Sequence, residues 1–78
     1  MPIKSYLAHP HKGKKVELIR AISNIAQCEV IPAKNRDILI VITDTENKTA
    51  DDELRERLES IKTLQLLVMI SGFDIPKK

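Results

Sequence analysis

Hydrophobic and polar positions along the chain alternate between strand-like and helix-like spacing. Short apolar or alternating runs bounded by turn and charged residues are typical of strands. The four segments of this kind are residues 3–8, 28–32, 38–42 and 64–70. Pro32 cannot donate a ladder hydrogen bond, so we place the strand at 28–32 at an edge of the sheet.

Two further segments repeat their apolar residues at helical spacing. Between residues 14 and 26 the apolar positions recur every three or four residues, which predicts an amphipathic helix. The second helix is predicted to begin at Thr49, because threonine is a favoured N-cap and two aspartates follow it. Its apolar stripe consists of Leu54, Leu58 and Ile61.

The order strand, helix, strand, strand, helix, strand is the split βαβ pattern. It predicts an α+β, ferredoxin-like fold (βαββαβ), with a four-stranded antiparallel sheet and both helices on one face. Residues 1–78 then form a single domain, in which the first and third strands are central and the second and fourth are edges. We expect the tail after Asp74 to be flexible.

The sheet face away from the helices is the place to look for function, because open apolar surface on a small domain marks a binding site. Alternation along the first strand puts Lys4 and Tyr6 on one side of the sheet. Because a lysine does not suit a core, we assign this side to the open face. Extended to the other strands, the predicted peptide-binding residues are Tyr6, Ile31, Leu39, Val41, Leu67 and Met69. The residues assigned to the interior are Ile38, Ile40, Ile42, Leu66, Val68 and Ile70.

The predicted surface combines aliphatic residues with one tyrosine and a flexible methionine, which suits an amphipathic peptide. A homodimer in which a second copy of the chain covers the same residues is an alternative. A regulatory or self-associating, ACT-like domain that senses a small molecule is another alternative with the same fold.

Length and composition indicate a small folded domain without a disulfide. Seventy-eight residues allow one small core, and 42% hydrophobic with 31% charged residues argues against disorder. The single cysteine, Cys28, excludes an internal disulfide and favours a reducing compartment, so we expect a cytoplasmic protein. We expect no export signal, and the apolar runs are far shorter than the about 20 residues needed to span a bilayer.

Charge is distributed unevenly along the chain. Residues 1–36 carry seven Lys or Arg and two acids, a net charge of +5, whereas residues 37–78 carry six and nine, a net charge of −3. A basic half is compatible with nucleic acid, but ferredoxin-like RNA-binding domains stack bases on aromatic residues of the sheet. The segment 38–42 contains none, so we predict no nucleic-acid partner.

Residues with catalytic or metal-binding chemistry are sparse. His9 and His11 have no third metal ligand near them in sequence. The basic turn at 12–15 lacks the glycines and the Gly-Lys-Ser/Thr ending of a phosphate-binding loop. Cys28 lies beside Glu29, which favours a raised thiol pKa and a buried structural role. We predict no enzyme activity, no catalytic residues, no metal and no cofactor.

Four short stretches carry a family resemblance. They are Ser-Tyr-Leu-Ala at 5–8, the segment 22–30 that ends in Cys-Glu-Val, Ile-Leu-Ile-Val-Ile at 38–42 and Leu-Val-Met-Ile-Ser at 67–71. In that order they resemble the first strand, the exit of the first helix, the third strand and the last strand of the NapD family. NapD proteins are cytoplasmic assembly chaperones for the catalytic subunit of periplasmic nitrate reductase.

The resemblance implies a partner and a role. The partner is the twin-arginine signal peptide of a nitrate reductase precursor, bound in helical form across the open sheet face. Binding delays export until the molybdenum cofactor is loaded. The acidic residues that are candidates to meet the arginines at the rim are Glu29, Asp37, Asp44 and Glu46.

Overall fold

The computed structural model describes residues 2–74, with side chains described for residues 3–70. Its elements are β1 (Pro2–Pro10), α1 (Lys15–Ser23), β2 (Cys28–Pro32), β3 (Leu39–Asp44), α2 (Lys48–Glu59) and β4 (Leu64–Asp74). The expectation of a flexible tail concerns residues after Asp74, outside this range.

The four strands form one antiparallel sheet in the order β2-β3-β1-β4. The predicted ferredoxin-like arrangement is therefore confirmed, with β1 and β3 central and β2 and β4 at the edges. Leu18 and Ile22 of α1 and Leu54 and Leu58 of α2 belong to one core cluster, so both helices cover the same side of the sheet.

Element boundaries differ from the sequence prediction mainly at the ends. Gly13 has a positive φ of 78°, which turns the chain out of β1 before α1 begins. The helix α1 ends at Ser23, earlier than the predicted residue 26. The predicted N-cap of α2 was wrong, because Asn47 rather than Thr49 caps this helix. Its side-chain oxygen accepts a hydrogen bond from the Ala50 amide at 2.8 Å.

The core lies between one sheet face and the two helices. Alternate residues of the central strands enter it: Tyr6 faces Val41 across the β1–β3 ladder, and Ala8 faces Leu39. All four are at most 1% exposed. Within the described residues, the core cluster consists of Tyr6, Ala8, Leu18, Ile22, Ile25, Leu39, Val41, Leu54 and Leu58.

The prediction that Tyr6, Leu39 and Val41 lie on the open face was therefore wrong. Inward and outward residues alternate along the strands as predicted. The side predicted to be open, however, is the side that the helices cover. The prediction failed because it placed Lys4 away from the core, whereas Lys4 lies on the helix side together with Tyr6. Its ammonium group forms an ion pair with the buried carboxylate of Asp51 in the first turn of α2. A lysine is tolerated beside the core because it meets this charged partner.

Candidate binding face

The side of the sheet away from the helices carries a continuous aliphatic surface, which we call the open face. One row of side chains crosses all four strands. Ile31 on β2 pairs with Ile40 on β3, Ile40 with Leu7 on β1, and Leu7 with Val68 on β4. Directly opposite residues hold their Cβ atoms about 4.5–5.5 Å apart, so this row is unbroken. The aliphatic members of the open face are Ile3, Leu7, Ile31, Ile40, Ile42, Leu66 and Val68.

The edges of the open face are more accessible than its centre. Ile31, Leu66 and Val68 are 46%, 53% and 41% exposed. Leu7 and Ile40 are half-buried, because the neighbouring strands flank them on both sides. A contiguous aliphatic surface of this kind on a small domain marks an interaction site.

Acidic residues cluster at one end of the open face. The ladders place Glu29 opposite Ile42 and Asp44 opposite Ile3, which puts both carboxylates on the open side. They are diagonal neighbours on adjacent strands, about 7–8 Å apart, and both are exposed. We call this pair the acidic end.

The other two predicted rim acids lie in loops. Asp37 is in the loop between β2 and β3, at the opposite end of the two strands from Glu29 and Asp44. Glu46 is exposed in the loop that leads from β3 into α2. The strand ladders thus place two of the four predicted acids together on the open face, and Glu46 follows in the loop at the same end of β3.

The opposite end of the open face has a basic character. His9 is half-buried there and pairs with Leu66 across the β1–β4 ladder. The adjoining β2–β3 loop exposes Lys34 and Arg36 together with Asp37, two positive charges and one negative, so its net charge is +1. A ligand lying along the strands therefore meets negative charge at one end and positive charge at the other, which gives the face a direction.

A lysine from the helix layer holds the β2–β3 loop in place. Lys15 Nζ donates hydrogen bonds to the carbonyl oxygens of Ala33 and Arg36 at 2.6 and 2.7 Å. These bonds satisfy two loop carbonyls at once, with the charged donor strengthening each. The loop at the basic end is therefore tied to α1.

Only Ile31 among the six predicted peptide-binding residues lies on the open face. Leu67 and Met69 face the helix side, opposite Ala8 and Tyr6. Leu67 is half-buried there, whereas Met69 remains 50% exposed. The residues that sequence reasoning placed inside, and that the ladders place on the open face, are Ile40, Ile42, Leu66 and Val68.

Cys28 lies on the helix side, opposite Thr43. Burial raises the pKa of its thiol to about 11, an effect that nearby Arg57 only partly offsets. Burial, rather than the neighbouring Glu29, is therefore the main cause of the raised pKa. The thiol stays protonated near neutral pH, so Cys28 lacks the thiolate character of a nucleophile.

A cleft opens on the helix side of the sheet. This shallow cleft of about 200 Å³ is lined by residues at the start of β2 and on α2. Its lining residues are Gln27, Ala50, Glu53, Leu54 and Arg57. Small-molecule sites measure about 300–1,000 Å³, so this cleft is a weaker candidate than the open face. Within residues 2–74 no cluster of three or more His, Cys, Asp or Glu has metal-binding geometry.

No helix in the described part of the chain has the length and apolar character needed to cross a membrane. No protein-family model, curated protein or solved structure matches the chain. The features of the chain that bear on its function are therefore the open face, its two charged ends and its strand motifs.

Proposed function

We propose that the chain is a binding protein, not an enzyme, and that its open face receives an amphipathic helix from another protein. The observation that carries this proposal is the aliphatic row formed by Ile31, Ile40, Leu7 and Val68 across all four strands. The core is already complete on the other side of the sheet, so this row serves no packing role inside the domain.

The dimensions of the face suit a helix. Neighbouring strands lie about 4.8 Å apart, so a row across four strands is about 14 Å wide. A helix with its side chains is about 10–12 Å across. One helix lying along the strands therefore spans most of the width of the open face and buries apolar residues spaced i, i+3, i+4 and i+7 against it.

The charged ends favour a ligand with a cationic terminus. Arginines at one end of the bound helix meet Glu29 and Asp44, which lie together at the acidic end. This requirement agrees with the resemblance to the NapD family, whose ligand is a twin-arginine signal peptide. The proposed ligand is accordingly the signal peptide of a nitrate reductase precursor, bound in the cytoplasm before export.

Binding to a labelled peptide tests the proposal. A fluorescent synthetic twin-arginine signal peptide is titrated with the chain, and anisotropy reports binding. Saturable binding that Ile40→Ser weakens by about tenfold or more is expected, because the substitution removes apolar contact at the centre of the face. The matched control is Val16→Ser on α1, where the valine is 61% exposed and away from the sheet.

Two outcomes contradict the proposal. One is the absence of saturable binding. The other is an equal loss of affinity in Ile40→Ser and Val16→Ser, which would place the peptide away from the open face. A scrambled peptide of the same composition, with its apolar residues no longer on one helical face, separates helix recognition from charge attraction alone.

A further inference from the structure

The two edges of the sheet differ in how they are protected against pairing with another strand. Exposed edges present unpaired backbone groups, and natural proteins block them with short strands, charges or proline. β2 has all of these features, since it is five residues long and contains Glu29 and Pro32. This edge is therefore closed to strand pairing.

β4 lacks these three features, although its pairing with β1 contains register shifts between Ser5 and Tyr6 and between His9 and Pro10. It is eleven residues long, contains no proline, lysine or arginine, and carries its only charge at its last residue, Asp74. Long, uncharged edge strands of β-branched and aliphatic residues are templates for pairing. Within the described residues no strand lies on the outer side of β4.

Both faces of β4 are also poorly covered. Leu66 and Val68 are exposed on the open face. Met69 lies on the helix side opposite Tyr6, yet it is 50% exposed. Ile70, at the bulge between the Ser5 and Tyr6 pairings, is 54% exposed. A helix bound on the open face leaves Met69 uncovered, so this exposure calls for a different partner.

We propose that β4 pairs with β4 of a second copy of this chain, giving a continuous eight-stranded antiparallel sheet. Residues 64–73 are uncharged, so antiparallel self-pairing brings no like charges together. The contact is isologous: the same strand edge serves both copies, and the two-fold axis closes the assembly at a dimer. The closed β2 edge prevents further growth of the sheet.

This geometry also explains the exposed methionine. A two-fold axis perpendicular to the sheet places both helix layers on the same side. Met69 of each copy then lies beside the helix-side residues of the other copy's β4, where cross-strand contact removes part of its solvent exposure. The two open faces remain free and become one wider surface. The dimer is therefore compatible with peptide binding but does not depend on it.

Oligomeric state and two matched variants test this inference. Size-exclusion chromatography with light scattering of the unmodified chain is expected to give twice the chain mass. Met69→Lys is expected to halve that mass, because each dimer would bury two new charges at the β4 edge. Ile31→Lys is expected to leave the dimer intact. It adds the same charge at a residue of similar exposure, 46% against 50%, but on the open face and at the β2 edge.

Amide hydrogen exchange of the unmodified chain provides the second readout. Protection of the β4 amides is expected to rise with protein concentration while that of the β2 amides stays constant, and this holds even if Met69→Lys fails to fold. A monomer at every concentration overturns the inference. So does a dimer that Ile31→Lys dissociates and Met69→Lys does not, because that pattern indicates packing through the open face.

Discussion

Lys4 of β1 and Asp51 of α2 form an ion pair at the border of the core, with Lys4 Nζ donating to Asp51 Oδ2. The carboxylate is 2% exposed, whereas the lysine side chain is 25% exposed and reaches toward solvent. Asp51 also lies in the first turn of α2, where the helix dipole favours negative charge. The pair ties the second helix to the central strand, on the side of β1 that buries Tyr6 and Ala8.

Removing the lysine should destabilise the fold. Lys4→Met leaves the Asp51 carboxylate buried without its partner, so we expect the free energy of unfolding to fall by about 1–3 kcal/mol. The control is Lys48→Met, which removes an exposed pair with Asp52 at 3.6 Å on the same helix. That change should cost at most about 0.5 kcal/mol. Urea denaturation measures both, and equal losses would contradict a structural role for the Lys4 pair.

Stability should decline in alkaline solution. The hydrogen bond to Asp51 raises the pKa of Lys4, and burial raises the pKa of Tyr6. Burial also raises the pKa of Cys28 from 9.0 to about 11. Since the folded state holds these protons more tightly, their stabilisation is complete below the unfolded-state pKa values. It is lost as the pH rises through the folded-state values.

Cys28→Ala isolates the contribution of the cysteine thiol to the pH dependence of stability. It should flatten the decline between pH 9.0 and about 11, the interval over which the thiol ionises only in the unfolded state. Urea midpoints measured across this pH range provide the readout. A stability that is constant with pH, or a slope that Cys28→Ala leaves unchanged, would show that burial of the thiol is not linked to folding.

Tyr6 and Leu7 are adjacent in β1 but should respond differently to substitution. Tyr6→Ala removes a side chain that is 1% exposed in the core, and large aromatic truncations cost about 3–5 kcal/mol. Leu7→Ala removes a half-buried residue of the open face, so it should cost less stability but weaken peptide binding. Denaturation and peptide titration of the two variants check this contrast. The reverse pattern would mean that the two faces have been exchanged.

The acidic end should contribute to binding a cationic peptide. Glu29→Gln with Asp44→Asn should weaken binding of a twin-arginine peptide about threefold to tenfold, with the larger effect at low salt. The control is Asp37→Asn, the same kind of change in the loop at the far end of the strands. Anisotropy titrations at two salt concentrations measure the difference. If Asp37→Asn has the same effect, net charge rather than the acidic end is responsible.

Much of the fold could be predicted from the sequence because apolar spacing reports secondary structure directly. The order of the six elements and the bounds of β2 at Cys28–Pro32 were correct. The ends of β4 were harder to predict, since its apolar pattern stops at Ile70 while the strand continues to Asp74. Strand pairing with the long β1 accounts for this extension, and local sequence does not report it.

The inward side of the sheet could not be predicted correctly from Lys4, because its partner Asp51 is distant in sequence and only the folded chain joins them. Asp44 carried the missing signal. Asp44 is two residues after Ile42 and four after Ile40, so the three side chains lie on the same face of β3. Because an exposed acid does not belong in the core, its position assigns those isoleucines to the open face. That inference needed β3 to extend to Asp44, whereas the apolar run ends at Ile42.

The most direct test of the open face as the binding site is an NMR titration of the isotope-labelled chain with an unlabelled twin-arginine signal peptide. We predict saturable shift changes centred on the row formed by Ile31, Ile40, Leu7 and Val68, while the buried α1 residues Leu18 and Ile22 change little. Changes confined to the helices, or no saturable change at all, would contradict the account.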